Sequence, residues 1–254
     1  MIMKHLPFVP SLLVALGLGA ACAAPALAGP HWAYAGHHAG PAAWAHLAPE
    51  FETCSLGRAQ SPINISRTVK ADLPALSFDY SPAAPTLVNN GHTVQVNLPP
   101  GRHLQVGEQR YELLQFHFHT PSEEQIHGRR AAMVAHFVHR DDAGHLGVVA
   151  VLMQVGRHPH AAYGPLFQHL PRPAEQVTVD GLTLDLAALL PRRLAYYDFE
   201  GSLTTPPCSE GVHWMVLKDP VQIDAGQVAA FRRLFPANAR PVQPLNGREV
   251  KESS

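Results

Sequence analysis

The sequence predicts a mainly β fold of the α+β class: a single domain built on a sheet, with few short helices and long loops. Three observations lead there. Valine-rich apolar runs, alternating or continuous, recur along the chain at lengths suited to strands. The 24 prolines fall mostly between those runs, as in Leu98-Pro99-Pro100-Gly101 and Thr205-Pro206-Pro207, where they mark loops. The 254 residues are 46% hydrophobic and show neither a linker nor an internal repeat, so one core can take up the chain.

At the N-terminus, Lys4 and His5, the apolar run from Leu12 to Ala24 and Ala26-Leu27-Ala28 before Gly29 read as a secretory signal peptide over residues 1–28. Residues 29–254 are then the folded domain, and a periplasmic or secreted location is expected. The apolar run is short for a membrane anchor and contains several glycines. A lipoprotein signal ending at Cys22 would want a large aliphatic residue where Gly19-Ala20-Ala21 stands. Cleavage removes Cys22 and leaves Cys54 and Cys208, either a disulfide in an oxidising compartment or two buried thiols.

Strands are expected near 93–98, 103–107, 111–119, 131–139, 146–155, 176–180 and 212–218. Asn89-Asn90-Gly91 reads as the turn before the first of these. The close spacing of 111–119, 131–139 and 146–155 favours antiparallel neighbours. At most two helices are convincing. The better one opens at Asp224, an N-cap with Gln227 at the capping-box spacing, and carries Val228, Phe231, Leu234 and Phe235 on one apolar face suited to covering the sheet.

The most specific chemistry lies in Gln115-Phe116-His117-Phe118-His119. Along a strand, Gln115, His117 and His119 share one face and the phenylalanines take the other. On the next run, His136 shares a face with Val134 and Val138 and could complete a zinc site of three histidines and one open position. With 17 histidines in the chain, about one His-x-His arises by chance, and His158-Pro159-His160 reads as that accident. The alternative for His117 and His119 is a pair of partly buried, hydrogen-bonded histidines. Lysine plus arginine number 19 against 20 acidic residues, a formal net charge of −1. That balance gives no electrostatic footprint for nucleic acid or, after signal cleavage, for a membrane, and points to a small-molecule partner.

Four segments in one order carry a resemblance: Gln60-Ser61-Pro62-Ile63-Asn64-Ile65, Asn89-Asn90-Gly91-His92, Gln115 to His119, and Gly201-Ser202-Leu203-Thr204-Thr205-Pro206-Pro207. Together they resemble the α-class carbonic anhydrases, and the likeness runs from Trp32-Ala33-Tyr34 through Ser122-Glu123 and Trp214 to Arg240-Pro241-Val242-Gln243-Pro244-Leu245. It implies a large, twisted, mostly antiparallel central sheet and one zinc ion per chain on His117, His119 and His136. It also implies a Cys54–Cys208 disulfide and cis bonds at Ser61-Pro62 and Pro206-Pro207. The implied activity is a zinc lyase's: reversible hydration of carbon dioxide to bicarbonate and a proton through zinc-bound hydroxide.

By the same resemblance Thr204 and Glu123 orient the hydroxide, and His92 shuttles the proton. Val138, Val148, Leu203 and Trp214 form an apolar substrate wall, Thr205 contacts the product and Gln115 supports His117. A homodimer is compatible with the sequence, which locates no interface. Three positions depart from the pattern. Val134 stands where a glutamate usually bonds the third histidine, Phe199 replaces a tyrosine that supports the Thr204–Glu123 pair, and Glu124 replaces a frequent histidine. The first departure predicts a less well oriented His136, unless water or another group substitutes, and zinc binding weaker than in typical members. The runner-up reading is therefore a secreted zinc-binding or ligand-binding domain of the same fold with little catalysis. An unrelated histidine-ligated metalloenzyme, such as a cupin, would not need the Gly201 to Pro207 segment.

Overall fold

A computed structural model describes residues 31–253; the signal-peptide expectation for residues 1–28 and the question of Cys22 lie outside the described residues. The strands are β1 (Asn64–Ile65), β2 (Val69–Lys70), β3 (Leu76–Asp79), β4 (Thr86–Asn89), β5 (Val94–Asn97), β6 (His103–Val106), β7 (Gln109–His119) and β8 (Gln125–Ile126). They continue with β9 (Met133–Arg140), β10 (Leu146–Val155), β11 (Gln176–Thr178), β12 (Tyr196–Ser202), β13 (Glu210–Leu217), β14 (Val221–Ile223) and β15 (Lys251–Glu252). The helices are short: α1 (Thr53–Leu56), α2 (Gly164–Gln168) and α3 (Ala225–Arg232).

Thirteen of these strands, among the described residues, form one sheet whose main path runs β11-β4-β5-β7-β9-β10-β13-β12-β15-β2. The expected antiparallel trio is its middle: β9 pairs antiparallel with β7 on one side and with β10 on the other. Parallel pairing enters where β10 meets β13 and β14, and where β15 meets β2, so the sheet is mixed but mostly antiparallel. All seven strands expected from periodicity form. Several short strands, and the seven-residue β12, had not been anticipated from the pattern.

Alternation divides the sheet into two faces. Phe116, Phe118, Phe137, Val149, Val151 and Met215 point into the larger apolar core, which α3 covers with Val228 and Phe231. Val134, Val138, Val148, Ala150 and Trp214 point the other way, into a second apolar layer that includes Ile63 and Phe199. The α3 cap forms as expected, with the Asp224 carboxylate accepting from Gln227 N at 2.7 Å and the Gln227 side chain accepting from Asp224 N at 3.1 Å. The helix ends at Arg232; Leu234 and Phe235 follow it and still pack with Val228 and Phe231 on the same core.

Strand β7 is not one uninterrupted pleat. Its register against β9 shifts between Leu113 and Gln115, so that Leu113 faces the larger core while Gln115, His117 and His119, at the same parity, face the other side. The irregularity re-aims half the strand. It puts the polar residues of β7 opposite His136 and Val134 of β9.

Cys54 in α1 and Cys208 in the β12–β13 loop form a disulfide across 154 residues. It clamps an N-terminal aromatic cluster, Trp32, Tyr34, Trp44 and Phe51, against the loop that carries Thr204 and Thr205. A loop of that length corresponds to about 5 kcal/mol of chain entropy removed from the unfolded state. Replacing both cysteines by serine is expected to lower unfolding free energy by about 2–5 kcal/mol in urea titrations; an unchanged midpoint and slope would show that the bridge does not constrain the unfolded chain.

Candidate metal centre

The pleat and the register bring His117, His119 and His136 together: His117 lies directly across from His136, and His119 from Val134. The ring centroids are 5.0 Å apart for His117 and His119, 5.5 Å for His117 and His136, and 4.7 Å for His119 and His136. One nitrogen from each ring lies within 4.8 Å of the others, the only such group of three metal-binding side chains among the described residues.

Each ring has its other nitrogen engaged. His117 Nδ1 donates to Gln115 Oε1 at 2.9 Å, and His119 Nδ1 donates to the backbone oxygen of Asn238 at 2.7 Å. His136 Nε2 donates to Glu124 Oε1 at 2.9 Å. By elimination, His117 Nε2, His119 Nε2 and His136 Nδ1 are the lone pairs turned inward. His119 Nε2 is buried with no hydrogen-bond partner, which suits an atom built to bind an ion. Neutral nitrogen donors in a set of three, with room for a fourth position, fit zinc.

Burial keeps two of these rings neutral. It drives His117 down to about 3, assisted by neighbouring His136, and drives His119 well below its usual value, assisted by His136 and His117. Their lone pairs are thus available without proton competition at neutral pH. Burial pulls His136 the same way, but the charge and hydrogen bond of Glu124, with Glu123 behind it, outweigh burial and leave its pKa raised.

Glu124 corrects the expectation from Val134. The strand supplies no carboxylate to His136, yet the ring is not left without a partner, because the side chain at 124 reaches it from the β7–β9 connection. The premise for weak zinc binding therefore falls away. Phe199 loses the expected tyrosine hydroxyl and instead stacks parallel to Trp214, with ring centroids 6.2 Å apart.

Glu123 takes a different role from its neighbour. Its Oε1 accepts from Arg240 N at 2.7 Å, while Oε2 lies 3.5 Å from His119 Nε2 and 3.9 Å from His136 Nδ1. Burial pushes this carboxyl up to about 7; His136, the Thr204 hydroxyl and the Arg240 N–H oppose the rise, and Glu124 adds to it. The Thr204 hydroxyl is near enough to influence the carboxyl, and Oε2 has no hydrogen-bond partner, so it keeps its acceptor capacity. The buried Arg240 guanidinium holds two segments at once, donating to Gln60 Oε1 and Ser61 O in one and to Cys54 O in the other. Gly201 is required where β12 crosses this region, since a Cβ there would meet Ser61 Oγ at 2.2 Å and the Trp214 ring at 2.7 Å.

A cavity of about 180 Å³ opens beside the histidines, bordered by His92, Val138, Leu203 and Thr205 among others. Val148 and Trp214, expected in the same wall, lie buried in the apolar layer that Val138 and Leu203 join, and the Trp214 ring stands edge-on to His136 at 5.0 Å. His92 sits at the rim, stacked on Trp32 at a centroid distance of 3.7 Å. Its pKa is lowered by partial burial and by nearby His31.

Sequence reasoning missed Asn238. Its side-chain amide donates to the backbone oxygens of His92 and Phe118 at 3.0 Å each, and its Oδ1 accepts from Thr120 N at 2.8 Å. One asparagine thus ties the His92 turn to the His119 strand end. Lying in a short polar loop after α3, it carries no pattern that would have singled it out.

The model of the family described as eukaryotic-type carbonic anhydrase matches residues 39–254. A carbonic anhydrase of Neisseria gonorrhoeae is 47% identical over 224 residues, covering 87% of this chain and 88% of that protein. One from Pectobacterium carotovorum is 41% identical, covering 94% and 98%. Among solved structures, the complex of α-carbonic anhydrase from Thermovibrio ammonificans with the inhibitor sulfanilamide superimposes with a TM-score of 0.85 at 41% identity, covering 88% of this chain and all of that one.

The buried titrating groups set the response to acid. His117 at about 3, His119 well below its usual value, and His139 at about 4 on the opposite face take up protons on unfolding once pH falls below about 6.5. Their stabilisation is complete above that pH and is lost as pH descends. Glu123 at about 7 and the raised His136 act in the opposite sense. Three depressed histidines outweigh them, so chelator-treated protein should unfold at progressively lower urea as pH falls from 7 to 5. A midpoint that stays level or rises contradicts this balance.

Proposed function

The chain belongs to the eukaryotic-type, or α-class, carbonic anhydrase family, and from that membership we propose that it hydrates carbon dioxide reversibly to bicarbonate and a proton at a zinc ion held by His117, His119 and His136. The observation that carries the reading is the convergence of three lone pairs, each fixed by a bond to its ring's other nitrogen, beside a small cavity with an apolar side. A zinc ion held by His117, His119 and His136 would keep its full charge among three neutral donors and would supply hydroxide at neutral pH, carbonic anhydrase being the standard case of this effect.

The protein's own groups orient and isolate the reaction. Glu123 Oε1 already accepts from Arg240 N, and Oε2 has no partner and is free to accept from the Thr204 hydroxyl. A threonine donating there has lone pairs left to accept a hydrogen bond from the nucleophile and turn its reactive lone pair toward carbon. A cation in the site also favours the ionised form of Glu123, offsetting burial. Val138 and Leu203 give the nonpolar substrate a wall with few competing hydrogen bonds, and Thr205 stands where a product oxygen can be met.

The proton must then leave. His92, at the cavity rim and of a type that titrates near neutral pH, suits its transfer to buffer through water. The binding-module reading loses its main support because Glu124 supplies the partner that Val134 lacks. We also assign residues 29–254 as the exported catalytic domain. The disulfide fits an oxidising compartment, periplasmic or extracellular, and the N-terminal sequence fits export.

Stopped-flow hydration of carbon dioxide, with zinc content measured on the same sample, tests the proposal. Zinc-loaded parent protein should be active, and Thr204→Ala should lose about 100-fold in kcat/KM with zinc retained. Zinc-loaded protein with no hydration would restore the binding-module reading. His92→Ala should slow turnover in weak buffer and recover with added imidazole; full turnover without rescue removes His92 from the proton path.

A further inference from the structure

We propose that Glu124 is the positioning residue of the metal centre: its carboxylate, contributed from the β7–β9 connection, orients His136 in place of a strand-borne group that Val134 cannot supply. The inference rests on the reading of His117, His119 and His136 as metal ligands and adds to it which side chain holds the third one. Val134 lies two residues before His136 on the same face of β9, but it has no acceptor and is fully buried in the apolar layer with Ile63, Val138 and Trp214. The donor on His136 Nε2 nevertheless points at an acceptor, Glu124 Oε1, at 2.9 Å.

The backbone around Glu124 is fixed from both sides. Ser122 Oγ donates to Glu124 O at 2.8 Å and accepts from Ala131 N at 2.9 Å, closing the connection on itself. Gln125 N donates to Ile63 O at 3.2 Å where β8 joins β1. A side chain launched from so restrained a segment can set a ring's angle as firmly as one launched from a strand.

The other carboxylate oxygen leaves the imidazole as the one side-chain partner of this residue among the described residues. Glu124 is 1% exposed, and its Oε2 has no hydrogen-bond partner. An acid buried with half its acceptor capacity unused costs stability, and at this place the cost is offset only by the bond to His136. Glu123, one residue earlier, has a structural task in the backbone N–H of Arg240; Glu124 has only the imidazole. Outer partners of this kind fix a ligand's tautomer and strengthen it as a donor, and their loss typically costs 10–100-fold in metal affinity.

The test separates positioning from folding. In Glu124→Met the volume stays and the acceptor goes. Its unfolding midpoint without metal should fall, because the buried His136 Nε2–H loses its acceptor, while the zinc dissociation constant of the folded protein, from chelator competition, should rise about 10–100-fold. The visible spectrum of the cobalt(II)-loaded protein should shift, reporting altered ligand geometry. The double variant Glu124→Ala/Val134→Glu, which returns a carboxylate to the strand and vacates position 124, should bind zinc within about threefold of the parent.

Unchanged zinc affinity and cobalt spectrum in a folded Glu124→Met protein overturn the assignment. So does a folded double variant that binds as weakly as Glu124→Met. If Glu124→Met does not fold, the double variant decides against the parent: zinc affinity within about threefold supports the assignment, and affinity about tenfold or more weaker overturns it. A parent protein that fails to bind zinc sinks the three-histidine reading itself, which keeps the two failures distinct.

Discussion

An imidazole offers a metal a lone pair from one nitrogen only while its other nitrogen carries the proton, and the partner of that proton sets both tautomer and ring angle. Everything at this centre follows from satisfying that condition three times within one buried volume. His117 satisfies it through its own strand, by Gln115 two residues earlier. His119 uses a backbone carbonyl from the loop after α3, and His136 uses an acidic side chain from the connection between β7 and β9. The three partners come from three parts of the chain, so the site exists only in the complete fold, although two ligands are near neighbours in sequence.

The fold converges on the site because a few restrained segments meet there. Asn238 binds the turn holding His92 to the end of β7. Arg240, two residues on, ties Cys54, Gln60 and Ser61 to the loop that supports Glu123. Burial lowers the Arg240 pKa to about 10, with Glu123 opposing the shift, so the guanidinium remains charged at neutral pH. A buried cation of this kind must have its donors used. Backbone carbonyls and an amide oxygen do so here, and a cationic centre thereby becomes a structural rivet beneath Thr204.

The sheet and the three ligands were legible in the sequence because their information is local. Alternation shows which residues of 115–119 share a face, and the spacing of 111–119, 131–139 and 146–155 gives antiparallel neighbours. The register shift between Leu113 and Gln115 was not legible. Leu113 and Gln115 have the same parity, and only the pairing with β9 reveals that they face opposite sides. The partners of His119 and His136 were hidden for another reason. A hydrogen bond from residue 119 to 238, or from 136 to 124, depends on where loops return, and no periodicity encodes that. The departure at Val134 was visible as a loss. Its counterpart at Glu124 was visible too, but as a second loss, because only the folded geometry joins the two positions into one exchange.

That exchange also bears on charge. Glu123 and Glu124 are consecutive and both buried, and Glu124 is among the influences that raise the proton affinity of Glu123. A glutamate in β9 would be bonded to the same imidazole without sharing a peptide unit with Glu123. Placing it at 124 brings two acidic groups close in a dry interior, an arrangement that favours protonation of one of them unless positive charge intervenes. Arg240 gives Glu123 a hydrogen bond only through its backbone N–H and spends its guanidinium hydrogen bonds elsewhere, so its side chain acts on Glu123 by charge alone. The remaining place for compensating charge is the volume bounded by His119 Nε2, His136 Nδ1 and Glu123 Oε2. A divalent cation there would satisfy three lone pairs and ease the crowding of the two acids, so binding it would favour the ionised form of Glu123.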